Sequence, residues 1–117
     1  MANLKVFSLD GCYYSKSAEE LLDDNKIIYS LQKVSHMEKD DIKDINKMYT
    51  FPQIYLEYQD SKIIIGGYSE LNEIYDIINK KNNLDDTIVK VLEIVKLPDD
   101  KYSKKQIFKL IDILVKK

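Results

Sequence analysis

The chain holds one sulfur nucleophile, Cys12. It follows Gly11, stands just past the apolar run Leu4 to Ser8, and precedes a segment with helical spacing. A thiol at a helix start faces unpaired backbone N–H groups and the positive end of the macrodipole. Both favour the thiolate and draw the pKa below the free value of about 8.5. Ser15 lies one helical turn on, with a hydroxyl to offer the sulfur. The competing reading is an inert cysteine packed as a small hydrophobe.

Two other segments have chemistry in their backbones. Thr50-Phe51-Pro52-Gln53-Ile54-Tyr55 sets an X-Pro bond at the mouth of a strand, where the trans preference is only about 0.5–1 kcal/mol. A cis bond there turns the N–H and C=O of Phe51 outward, toward an extended peptide; a trans proline would merely open an edge strand. In Gly66-Gly67-Tyr68-Ser69-Glu70-Leu71, glycines permit close approach and a helix start offers N–H groups to a carboxylate. The plainer reading is a strand-to-helix turn with its cap.

The elements that must position these residues follow from periodicity. Leu4 to Ser8 reads as a strand, and Ser15 to Leu22 as a helix with Ala18, Leu21 and Leu22 on its apolar face and Glu19 and Glu20 in its first turns. Ile27 to Val34 is a second strand, and Met37 to Tyr49 a helix with Met37, Ile42, Ile45, Met48 and Tyr49 on one side. Pro52 to Tyr58 and Lys62 to Ile65 form a hairpin across Gln59-Asp60-Ser61. Ser69 then caps a helix running to Lys80, with Leu71, Ile74, Tyr75, Ile77 and Ile78 inward. The order β-α-β-α-β-β-α is complete by about residue 83, leaving 84–117 as an added helical hairpin. Its stripes are Ile88, Val91, Leu92 and Val95, then Ile107, Leu110, Ile111 and Leu114.

Composition bounds the partners. The chain of 117 residues, 44% hydrophobic and 32% charged, suits one folded unit with a real core. Eighteen basic residues against twenty acids give a net charge of −2, which argues against nucleic acid and anionic membranes as partners. The first 83 residues hold ten Lys against fourteen acids, and residues 84–117 hold eight against six. No apolar run is long enough to span a bilayer, and the N-terminus does not read as a signal peptide. A lone cysteine forms no internal disulfide, and with His36 alone beside it fills no four-ligand metal site, so the expected compartment is the cytoplasm. His36 itself reads as a solvated loop residue.

Taken in order, the three segments resemble those of a glutaredoxin over residues 3 to about 80. Val6-Phe7-Ser8-Leu9-Asp10-Gly11-Cys12-Tyr13-Tyr14-Ser15 is similar to the family's active-site segment. The stretch from Thr50 to Tyr55 is similar to its Thr-x-Pro loop, and Ile65 to Leu71 to its Gly-Gly turn. The resemblance implies an α/β thioredoxin-like fold, with a four-stranded mixed sheet flanked by helices. It also implies glutathione as co-substrate and glutathionylated thiols as partners. Cys12 would be the nucleophile and Tyr14 would line the groove beside it. Thr50, Phe51 and Pro52 would pair with the cysteinyl unit, and Gly67, Tyr68, Ser69 and Glu70 would receive the γ-glutamyl end.

Departures from the family shape the expected mechanism. Ser15 stands where dithiol members carry a resolving cysteine, so only a one-thiol cycle is open. Tyr13 replaces a usual proline, Leu9 a frequent lysine and Phe51 a usual valine, which reshapes the groove. Asp10 is expected to raise the Cys12 pKa, with Lys16 compensating. Acids on the 37–49 helix replace neutral or basic contacts, so the expected activity is low. Two alternatives share the fold. In one, a homodimer binds a [2Fe–2S] centre through two Cys12 thiolates and two glutathiones. In the other, a catalytically weak binding module meets a partner or second copy through the C-terminal helices.

Overall fold

Alternation along the first strand decides the layering. The computed structural model describes residues 2–80 and 82–115. In it, β1 (Asn3–Leu9) turns Leu4 and Val6 into one core and Phe7 into another, because successive side chains of a strand point to opposite faces. β2 (Ser30–Val34) pairs with β1 in parallel, β3 (Gln53–Tyr58) pairs with it antiparallel, and β4 (Ser61–Gly66) closes a hairpin on β3. The sheet order is β2-β1-β3-β4. This is the expected four-stranded mixed sheet with flanking helices. β1 is therefore central, and the turn that leaves its C-terminal end starts from a strand anchored on both sides.

The first face carries the larger core. Leu4, Val6, Ile54, Leu56, Ile63 and Ile65 from the strands meet Ala18 and Leu22 of α1 (Tyr13–Asp24) and Leu71 and Ile74 of α3 (Tyr68–Asn79). The same cluster takes in Ile88, Val91 and Leu92 of α4 (Leu84–Val95), and Ile107, Leu110, Ile111 and Leu114 of α5 (Lys101–Val115). Asn83 caps α4 by accepting the Asp86 N–H at 2.8 Å, and Asp100 accepts the Ser103 N–H at 2.7 Å as α5 begins. These caps satisfy N–H groups that a helix start leaves without intrahelical partners.

The second face is smaller. Phe7, Val34 and Tyr55 form its centre, with Leu9, Ile42 and Phe51 packed around them. The Phe7 and Tyr55 rings stack at 5.8 Å, and the ammonium groups of Lys5 and Lys62 lie 5.2 and 4.2 Å from their respective ring centres. One helix, α2 (Lys39–Asn46), contributes to this side through Ile42.

Several boundaries differ from the sequence reading. α2 is eight residues long rather than 37–49, and Met37, Ile45 and Tyr49 are exposed. Glu38 accepts the Ser35 N–H at 3.1 Å just before it, and left-handed Lys47 ends it. Of this apolar spacing the small second core takes Ile42, and Met48 is half-buried. α1 begins at Tyr13 rather than Ser15, which puts Glu19 and Glu20 mid-helix rather than in its first turns. β2 begins at Ser30 because the chain leaves α1 through left-handed Lys26, and the Ile27 N–H bonds back to the Leu22 carbonyl at 2.9 Å.

The shared core has a measurable consequence. Leu110 is fully buried, so Leu110→Ala is expected to cost about 2–5 kcal/mol through lost contacts and the cavity left behind. Urea unfolding will show the midpoint fall with an unchanged slope. Ile28→Ala, at a site 87% exposed, should stay within about 0.5 kcal/mol of the parent.

Candidate active site

The turn after β1 delivers Cys12. The Asp10 N–H extends the parallel pairing to the Val34 carbonyl at 2.9 Å, and Gly11 then reverses the chain at φ +74°, a conformation that favours glycine. Cys12 is the N-cap of α1, with extended backbone (φ −87°, ψ 122°), and its carbonyl accepts the Lys16 N–H at 3.1 Å. The first turn of α1 holds no acidic residue. The thiol is half-buried, on the wall of a recess of about 370 Å³ that Ser8, Lys16, Glu20 and Lys33 also line.

The surroundings of the sulfur favour its charged form. Burial pushes the thiol pKa up, but the Ser15 hydroxyl and the N–H groups of Ser15 and Tyr14 outweigh it, and the net shift is downward. Ser15 is fully buried, and its Oγ accepts the Leu9 N–H at 3.1 Å. That contact occupies a lone pair and leaves the hydroxyl proton for the sulfur. In the neutral form the thiol faces the Phe51 carbonyl, with Sγ 3.8 Å from the oxygen. Burial leads the opposition expected of Asp10, and Ser15 and Tyr14 lead the lowering expected of Lys16.

The three sequence segments meet around this sulfur. Phe51–Pro52 is a cis peptide, and Phe51 places its carbonyl beside Cys12 while its ring packs with the second core. Tyr14 and Tyr68 stack at 6.3 Å, joining the first segment to the third. A Cβ on Gly67 would stand 3.6 Å from the Pro52 carbonyl, which joins the third to the second. Thr50 and Ser69 are exposed, and Tyr13, 75% exposed, sets its ring edge-on to Tyr14 at 5.5 Å.

The third segment is capped differently from the sequence reading. Gly67, not Ser69, is the N-cap of α3, and Glu70 Oε1 accepts its N–H at 2.7 Å. Ser69 lies inside the first turn. Gly66 has φ +130°, and a Cβ there would come within 2.7 Å of the Glu70 side chain. Glycine is thus required both by the turn and by the carboxylate folded over it.

Some polar partners have no local sequence signature. Ser8 donates to the Glu19 carboxylate, which Lys33 also meets at 2.9 Å. Burial raises the Glu19 pKa while the Ser8 bond and the Lys33 ammonium lower it, for a net fall. Gln53 and Asn46 are buried and bonded to one another. A buried amide directly after Pro52 is a feature that the sequence displays without naming its partner. His36 is exposed, with Nε2 4.0 Å from where a Gly11 Cβ would stand.

Among the described residues no group of three or more His, Cys, Asp or Glu side chains could hold a metal ion. Cys12 offers one of the four thiolates an iron–sulfur centre needs, so these residues do not form such a site by themselves. Among the described residues no helix is long and apolar enough to cross a membrane.

The fold and the approach of the three segments define a thioredoxin-like protein with a single cysteine. Residues 4–59 match the glutaredoxin family model. Glutaredoxin 1 from Francisella tularensis, solved in complex with cacodylate, aligns at 26% identity over 68% of this chain and 100% of its own, with a TM-score of 0.54. A buckwheat glutaredoxin–glutathione complex aligns at 18% identity over 81% of this chain and 80% of its own, with a TM-score of 0.46. No curated protein sequence matches the chain. Residues 4–59 thus match a glutaredoxin domain, and that likeness supports a thiol oxidoreductase-type role.

Ser15 gives a direct check on the electrostatics. Ser15→Ala removes a donor to the thiolate and the acceptor of the Leu9 N–H. The pH midpoint of Cys12 alkylation should rise and the rate at neutral pH should fall, with the plateau rate at high pH unchanged. The orphaned N–H should also cost about 1–3 kcal/mol of stability, read by urea unfolding.

Proposed function

We propose that the protein is a glutathione-dependent thiol–disulfide oxidoreductase that removes glutathione from mixed disulfides with one cysteine. The observation that carries this reading is the Cys12 sulfur, favoured as thiolate by α1 and standing 3.8 Å from the Phe51 carbonyl at the junction of three glutaredoxin-like segments.

The Cys12 thiolate attacks the glutathione sulfur of a mixed disulfide. A new S–S bond forms, the old one breaks, and the substrate thiolate departs and takes a proton from water. A second glutathione thiolate then attacks the glutathionyl sulfur on Cys12. This step releases oxidised glutathione and restores the Cys12 thiolate. Overall, the substrate sulfur is reduced and two glutathione sulfurs end in one disulfide. Ser15 has no thiol to compete for the intermediate.

Recognition of the tripeptide falls to the residues around the sulfur. The backbone of Thr50, Phe51 and Pro52 receives the cysteinyl unit as an extended pair, beside the Tyr14 and Tyr68 rings. The start of α3 at Gly67, Tyr68 and Ser69 receives the γ-glutamyl carboxylate. One Glu70 oxygen is engaged by the Gly67 N–H, which leaves the other for the ammonium of the same unit.

Turnover of a glutathionylated peptide with excess glutathione tests this directly. The wild-type chain should follow a two-step cycle in which a single glutathione adduct on Cys12 is detectable by mass spectrometry. Cys12→Ser should lose the adduct and at least about a hundredfold in rate, as removal of a nucleophile does. Equal rates for the two proteins would remove the assignment.

A further inference from the structure

Buried polar side chains must find partners inside the protein. Gln53 and Asn46 are 0% and 3% exposed, and they are joined in a chain of hydrogen bonds that the thiol chemistry does not itself use. Lys62 Nζ on β4 donates to Asn46 Oδ1 at 2.6 Å. Asn46 Nδ2 donates to Gln53 Oε1 at 2.8 Å. Gln53 Nε2 donates to the Met48 carbonyl, also at 2.8 Å. Both ends of each amide are engaged, so neither can turn over without losing a bond.

This relay ends on the segment that needs holding. The chain leaves α2 through left-handed Lys47 and runs without helix or strand to β3, with Tyr49 and Thr50 exposed. The far end of that loop is the Phe51 carbonyl beside Sγ. Gln53 pairs with Phe7 of β1, the strand whose end leads into the Cys12 turn. Lys62 is held from a second side by the Tyr55 ring, 4.2 Å from its ammonium. The relay thus ties the loop to the same sheet that carries the sulfur.

We propose that Lys62, Asn46 and Gln53 are positioning residues, which hold the loop 47–52 so that its backbone stays in register with Cys12. Their effect on turnover rests on the oxidoreductase reading above; their effect on the loop does not. Misplacing a binding group by about 1 Å can cost a hundredfold, so a loosened loop should weaken capture of the glutathione unit before it touches the thiol.

The test uses the full chain as Asn46→Ala, Lys62→Met and Lys62→Arg. Four quantities are read on each: kcat and KM for a glutathionylated peptide, alkylation of Cys12 by iodoacetamide, and amide exchange at Tyr49 to Phe51. In Asn46→Ala, KM should rise about tenfold, with kcat and alkylation within about twofold of the parent. Exchange should quicken at Tyr49 to Phe51 while the strand amides stay protected. Lys62→Met should show a smaller change of the same kind, and Lys62→Arg, which keeps a donor, should return toward the parent.

Unchanged KM together with unchanged loop exchange would overturn the proposal. A fall in alkylation in step with the KM change would overturn it too, because the damage would then lie at the thiol. If the parent shows no turnover at all, the oxidoreductase reading fails, and loop exchange alone decides the relay. If Asn46→Ala does not fold, Lys62→Met, altered at an exposed residue, is judged by the same criteria.

Discussion

A charged sulfur in a half-buried position needs donors that do not have to be recruited from water. In this protein they come from the start of α1: the Ser15 hydroxyl and the N–H groups of Ser15 and Tyr14 together overcome the burial of Cys12. Donors held by covalent and helical geometry need no reorganisation when charge arrives. Ser15 illustrates the economy of the arrangement, since its oxygen accepts from the end of β1 while its proton serves the sulfur. The strand, the turn at Gly11 and the helix are therefore one electrostatic unit.

The rest of the fold brings the other contacts to that unit. Residues 39 positions apart in sequence, Cys12 and Phe51, meet because β1 and β3 are neighbours in the sheet. Glycine at 66 and 67 lets α3 begin close to Pro52, and the Tyr14–Tyr68 stack closes the circuit. The asymmetry of the two sheet faces suits this task. The larger core, which takes in α4 and α5, gives the sheet a heavily packed side. The lightly covered face holds the Asn46–Gln53 pair that ties down the loop.

What the sequence reveals is what is local. The strand–Gly–Cys–helix pattern, the proline before β3 and the double glycine before α3 are each legible because only a few adjacent residues determine them. The stripes at Ile88 to Leu92 and Ile107 to Leu114 are legible because their period matches the helix. Other features depend on distant partners. The spacing from Met37 to Tyr49 looks amphipathic, yet only Ile42 of it packs on the small core of Phe7, Val34 and Tyr55, and Met37, Ile45 and Tyr49 are exposed. Ser69 is a good cap by type, but Glu70 reaches back to Gly67 and shifts the helix start. Asn46, Gln53 and Lys62 lie on three elements, and no short pattern links them.

The chemistry turns on the charge of one atom, and the chain's single cysteine makes that charge directly observable. The ultraviolet absorbance of the thiolate, titrated with pH on the wild-type protein and referenced to Cys12→Ser, reports its ionisation without any substrate. With the α1 donors in control, the midpoint should fall below the value of about 8.5 for a free cysteine. A midpoint at or above that value would mean that burial prevails over the α1 donors and that the sulfur is not held as a thiolate by the helix start.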